Sequence, residues 1–152
     1  MASLSVVTLK LTYSTANIAP LLDMLIVMQI KAKIAIIEDE AAIREMYRLK
    51  LSAQGYDITT AADGASGLHL IEHIRPDLIL LDIKMPHIPG NEVLKRIRAT
   101  DWGKDIKVIV LTNISKDEAP SDFRFLHVSR YIVKVHYTPT QVLDIVKEVL
   151  SE

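Results

Sequence analysis

The sequence predicts an α/β fold: one doubly wound, five-stranded parallel sheet of order 2-1-3-4-5, with helices on both faces. From Lys33 onward, short apolar runs alternate with stretches of helical periodicity, five of each. The runs are apolar throughout rather than every second residue, as in Ile34-Ala35-Ile36-Ile37 and Leu78-Ile79-Leu80-Leu81. That pattern suits strands buried on both faces. Right-handed crossovers in the stated order cover both faces with helices.

The first strand, Ile34 to Ile37, ends in Glu38-Asp39-Glu40. Ala41 to Gln54 carries Ile43, Tyr47 and Leu51 at four-residue spacing, with Met46 beside them, and Gly55 suits the position just past a helix. Tyr56 to Ala61 is a weaker second strand. Asp63 can cap a helix running to about Ile74, with Ala65, Leu68 and Ile71 inward, and Pro76 closes that connection. The third strand, Leu78 to Leu81, stops at Asp82, because Pro86 and Pro89 cannot continue a ladder. Asn91 to Arg98 reads as a helix through Val93, Leu94 and Ile97. Ile106 to Leu111 is the fourth strand, ending at Thr112. Ser115 to about Leu126 should hold a fourth helix, short or kinked at Pro120. Tyr131 to Val133 is the fifth strand, ending at Lys134. In Thr138-Pro139-Thr140-Gln141, Thr138 caps, Pro139 takes the first helical position and Gln141 completes a capping box. Val142, Ile145, Val146 and Val149 form the buried face of that last helix.

Residues 1–27 read differently. Ser and Thr recur without period, and Lys10 and Asp23 are the only charges. We expect an extension here, with the domain spanning 28–152; the sharper alternative is an amphipathic helix that docks on a partner or pairs two copies. Leu21 to Ile30 is too short for a membrane span, which needs about 20 apolar residues. No positive cluster or cleavage site marks a signal peptide. The net charge of −1 gives no reason to expect a nucleic-acid partner. The absence of cysteine excludes thiol chemistry and a disulfide framework, and fits a cytoplasmic location.

In the 2-1-3-4-5 order, strands 1 and 3 are neighbours at the switch point, where open α/β sheets place their sites. Glu38 and Asp39 then lie beside Asp82, and Thr112 and Lys134 come to the same edge. Three carboxylates together raise one another's pKa unless a cation is present. A hard, oxygen-seeking ion, Mg²⁺, is the natural occupant. Lys134 adds a point charge and Thr112 a hydroxyl, both suited to phosphoryl oxygens. Asp82 can then serve as a nucleophile that accepts phosphate. Taken singly, each residue has a plainer reading: Asp82 as a cap, the acids as a charged helix start, Thr112 as a strand-end hydroxyl, Lys134 as a solvated lysine. All five falling at carboxyl ends of core strands is what favours the chemical one. His69 and His73 have the spacing of a metal pair, but with no third ligand a solvated helix face is the better reading.

The motifs Ile-Ile-Glu-Asp-Glu at 36–40, Leu-Leu-Asp-Ile-Lys-Met-Pro at 80–86 with Gly90, Leu-Thr at 111–112 and Tyr-Ile-Val-Lys at 131–134 resemble those of response regulator receiver domains. The resemblance covers about Lys33 to Leu150 and implies a flavodoxin-like fold and a phosphorylation-dependent signalling switch. It implies that Glu38, Asp39, Asp82 and the backbone carbonyl of Lys84 hold Mg²⁺. It implies that Asp82 takes phosphate from a sensor histidine kinase or phosphotransfer protein, that Thr112 and Lys134 read the phosphoryl group, and that Tyr131 swings inward on activation. Output in that family usually runs through the face of helix 4, strand 5 and helix 5. Since the chain ends at Glu152, a stand-alone, chemotaxis-type receiver is expected, signalling or relaying phosphate through protein contacts, with no direct contact to nucleic acid or membrane and no enzymatic activity of its own.

Three positions depart from the family pattern. Val135 stands where Pro usually follows the lysine, so a trans bond is expected there. Asn113 replaces a small residue and should slow phosphoryl turnover. His127-Val128-Ser129 replaces the common Gly-Ala pair, which with Pro120 makes the fourth helix the hardest to place. Phe123 and Phe125 lie in that region, and core packing is expected for at least one. The enzymatic alternative is a Mg²⁺-dependent phosphatase of the haloacid dehalogenase type; it wants a second Asp two residues after the nucleophile, where Lys84 sits. A nucleotide or flavin binder lacks its Gly-rich loop. A receiver reduced to a docking scaffold disagrees with the intact acids, Thr112 and Lys134.

Overall fold

A computed structural model of the chain describes residues 15–29 and 31–152. The chain divides after Lys31 into two units. The described part of the first is one helix, α1 (Thr15–Gln29), with Pro20 inside it and Leu21, Leu22, Met24 and Leu25 exposed. Asp23 is its only charge. Residues 1–14 of the expected extension lie outside the described residues.

The second unit, Ala32–Glu152, runs β1 (Lys33–Ile37), α2 (Ala41–Ser52), β2 (Asp57–Ala61), α3 (Gly64–Ile74), β3 (Leu78–Leu81), α4 (Gly90–Arg98), β4 (Lys107–Thr112), β5 (Arg130–Val133) and α5 (Pro139–Ser151). The five strands form one parallel sheet of order β2-β1-β3-β4-β5, the expected topology. Its registers align Ile37 with Leu81 and Leu81 with Val110, so β1 and β3 end level with one another while β4 runs two residues further, to Thr112.

Side chains alternate along each strand, and both sides of this sheet are covered. Ala35, Ile37, Ile79, Leu81, Val108 and Val110 pack against Ile71 of α3 and Val93, Leu94 and Ile97 of α4. Ile34, Ile36, Leu78, Leu80, Ile109, Leu111 and Ile132 pack on the other side against Tyr47 and Leu51 of α2 and Val142, Val146 and Val149 of α5. Each such Ile or Leu removed from water contributes about 1.5–3 kcal/mol before entropy is counted. This double burial is why the strands read as unbroken apolar runs.

Helix ends follow local chemistry. The Asp63 carboxylate accepts the Ser66 N–H at 2.8 Å and opens α3. Arg75 closes it in the left-handed region, φ 49°, just before Pro76. The Thr138–Gln141 capping box opens α5 as expected.

Three expectations need correction. Ala65 is exposed; α3 faces the sheet through Gly64, Gly67, Leu68 and Ile71. A Cβ on Gly67 would meet Ile37 Cδ1 at 2.8 Å, so the closest contact is made by residues with no side chain to announce it. Met46 is exposed rather than part of the inward face of α2. No α-helix lies between β4 and β5. Ser115–Phe125 instead makes tight turns, with Glu118 N–H donating to Ser115 O and Ala119 N–H to Lys116 O, and then a short 3₁₀ segment at Ser121–Phe125. Pro120 has no N–H for the expected helix. The segment is pinned to α4: Asn91 and Lys95 both bind Asp122 (3.2 and 3.1 Å), and Arg98 donates to the carbonyls of Leu126 and His127. Phe123 packs on the core, edge-on to Tyr131, while Phe125 is 79% exposed.

Candidate functional site

The ladder runs one residue past the strands, with Glu38 N–H donating to Ala61 O (3.1 Å) and Asp82 N–H to Ile37 O (3.0 Å). These bonds set Glu38 and Asp82 side by side at the carboxyl edge of the sheet. Both are buried, whereas Asp39 is exposed. Carboxylate oxygens of Glu38, Asp39 and Asp82 lie within 4.8 Å of one another. Lys134, just past β5, reaches over with its Nζ 2.6 Å from Glu38 Oε2 and 3.1 Å from Asp82 Oδ2. Thr112 ends β4, is fully buried, and accepts the Ile114 N–H at 3.5 Å. Asp39, Asp82, Lys84, Met85, Thr112 and Asn113 line a cleft of about 540 Å³.

The loop after Asp82 holds that carboxylate in place. Lys84 N–H donates to Asp82 Oδ1 (3.2 Å) while the Lys84 side chain is exposed. The loop folds back so that Gly90 N–H donates to Ile83 O (2.9 Å). A Cβ on Gly90 would strike the carbonyl oxygen of Asp82 and Cα of Ile83, so only glycine fits.

Burial pushes Glu38 up to about 7; the Lys134 hydrogen bond pulls it back, and the Asp82 charge adds to the rise. For Lys134, burial pulls the ammonium down, but the Glu38 hydrogen bond and the Asp82 and Glu38 charges outweigh it and hold it above the ordinary lysine range. One ammonium thus faces three acids. The oxygen-only donor set, crowded and short of positive charge, fits a hard divalent cation.

Tyr131 is half-buried on β5, and its hydroxyl donates to Ile114 O at 2.9 Å, two residues past Thr112. The structure therefore brings together Glu38, Asp39, Asp82, Thr112 and Lys134, with Lys84 on the cleft wall and Tyr131 one contact away. Arg44, which sequence reasoning does not single out, donates to the carbonyls of Glu38 and Asp39. A lone arginine on a helix gives no sequence signal of such a contact. His69 and His73 are exposed on α3, with ring centroids 4.3 Å apart and the rings tilted by 48°. Trp102 packs at the core's edge with Arg75 over its ring at 3.8 Å.

The model of the response regulator receiver domain matches residues 34–147. The chain belongs to this family. The receiver is 46% identical over 82 residues to the transcriptional regulatory protein AfsQ1 of Streptomyces coelicolor, covering 54% of this chain and 35% of that protein. It is 41% identical over 80 residues to response regulator MprA of Mycobacterium sp. (strain KMS), covering 53% and 34%. It thus matches about a third of the length of these curated relatives. Among solved structures it is similar to the chemotaxis response regulator CheY4 of Vibrio cholerae, with a TM-score of 0.71 and 29% identity over 78% of this chain and 98% of that one. These likenesses give the receiver a flavodoxin-like fold and the role of a phosphorylation-dependent signalling switch; they lend no support to the phosphatase alternative. No described helix is long and apolar enough to cross a membrane.

Proposed function

We propose that this receiver accepts a phosphoryl group on Asp82 from a sensor histidine kinase or a phosphotransfer protein in the cytoplasm. The observation that carries the reading is the buried Lys134 ammonium bound to both Glu38 and Asp82 beside Asp39 in an open cleft. An Asp82 carboxylate oxygen bonds to phosphorus; the bond from phosphorus to the donor's imidazole nitrogen breaks, and the imidazole leaves with the electron pair. Lys134 pairs with a phosphoryl oxygen, and the Thr112 hydroxyl donates to another. Glu38, Asp39, Asp82 and the Lys84 carbonyl would hold Mg²⁺, which, when bound, neutralises charge on the transferring group. The gain of charge at Thr112 and Lys134 favours one of two packings around Tyr131, whose hydroxyl is tied to the turn after Thr112. The output face is then β5, α5 and the pinned 3₁₀ segment, meeting a protein partner; the receiver acts as a switch and not as an enzyme. As a domain, we take 28–152 as the receiver and 1–27 as an extension.

The test is incubation with Mg²⁺ and acetyl phosphate. We expect an acid-stable, base-labile phosphoprotein that Asp82→Ala does not form. No label on the wild type, or label retained by Asp82→Ala, rejects the reading.

A further inference from the structure

Glu38 and Asp39 sit in the short turn from β1 into α2, and that turn lacks the usual support. Glu40, at the cap of α2, makes no side-chain capping bond. The Glu40 N–H instead donates to Glu38 Oε1 at 3.2 Å. Beyond the Glu38 bonds to Ala61 and Lys134, support comes from Arg44, one turn into α2. Its backbone N–H donates to Glu40 O at 2.9 Å. Its Nη1 donates to Glu38 O at 2.7 Å and to Asp39 O at 3.2 Å. One guanidinium nitrogen thus gathers the carbonyls of two consecutive acids. These side-chain bonds go to backbone carbonyls and not to the carboxylates. Arg48, one turn further on, instead binds the exposed Glu45 carboxylate at 2.6 Å.

We infer that Arg44 is a positioning residue for the divalent-cation site: it fixes the 38–39 turn so that both carboxylates stay directed at the cation. The inference rests on the reading of Glu38, Asp39 and Asp82 as cation ligands. Outer partners that hold ligands in place typically change metal affinity by about 10- to 100-fold when removed. Charge and positioning act here with opposite signs. A fixed cation near a cation site opposes binding, so loss of the arginine charge alone strengthens Mg²⁺ binding. Loss of a turn clamp weakens it.

The full chain and its Arg44→Met, Arg44→Lys and Arg48→Met variants are titrated with Mg²⁺ by calorimetry. Backbone amide shifts of Glu38–Glu40 are followed without metal. We expect Arg44→Met to bind about tenfold more weakly, with metal-free shifts displaced across the turn. Arg44→Lys, which keeps the charge and can reach one carbonyl, falls between it and the wild type, and Arg48→Met matches the wild type. Binding by Arg44→Met as tight as the wild type, or tighter, overturns the inference. If Arg44→Met does not fold, wild-type affinity in Arg44→Lys overturns it. A wild type that binds no Mg²⁺ overturns the underlying ligand reading instead.

Discussion

Burial raises Glu38 to about 7 from an ordinary 4.5, with the Lys134 hydrogen bond opposing and Asp82 adding to the rise. Between those values the folded chain keeps a proton that the unfolded chain has released. The associated stability is full below pH 4.5 and is lost as pH rises towards 7. Without metal, the melting temperature of the wild type should fall across that window more than that of Glu38→Gln; parallel curves refute this. A cation at the site must displace the same proton, so Mg²⁺ affinity should climb as pH passes through about 7, read by titration on either side. Asn113, exposed on the cleft beside Asp82, belongs to the same scale. It lines the same cleft as Asp82, so on the proposed reading Asn113→Ala should lose phosphate faster in a dephosphorylation time course; equal rates reject the idea.

At the scale of elements, α4 is tied to the site through its first residue. Gly90 lies against the Asp82 carbonyl with no room for a methyl group. Gly90→Ala should cost about 1–3 kcal/mol in urea unfolding, and an unchanged midpoint would contradict the close packing. The elements were unequally legible. Strands β1, β3 and β4 were plain because burial on both faces makes them continuously apolar. Helix α5 was plain because its capping box is a local motif. The stretch between β4 and β5 was not: Asp122, Asn91, Lys95 and Arg98 decide its shape, and they meet only in the folded chain. The inward face of α3 runs through Gly64 and Gly67 rather than Ala65, and glycines carry no hydrophobic signal.

On the scale of the molecule, Ala32–Glu152 contains the whole sheet and both apolar layers. We predict that a chain starting at Met28 keeps its melting temperature to within about 4 °C, under roughly 1 kcal/mol for a domain of this size, and still takes label on Asp82. A larger loss assigns residues 1–27 to the fold. The extended β2-β1-β3-β4-β5 sheet also explains why five residues spread from 38 to 134 can act together: parallel strands bring all their carboxyl ends to one edge.

The sequence alone determined the strand order, the edge on which the site lies and the residue types gathered there, because apolar runs and strand-end polar residues are local features that the parallel topology maps to fixed places. Only the tertiary structure decided the rest. It set the Lys134 ammonium between Glu38 and Asp82, brought Arg44 onto the carbonyls of Glu38 and Asp39, and laid the 113–129 stretch against α4 in place of a helix. Those outcomes depend on side-chain hydrogen bonds and charges between separate elements. Such contacts leave no periodicity in the chain, since their energy is gained only when the partners meet.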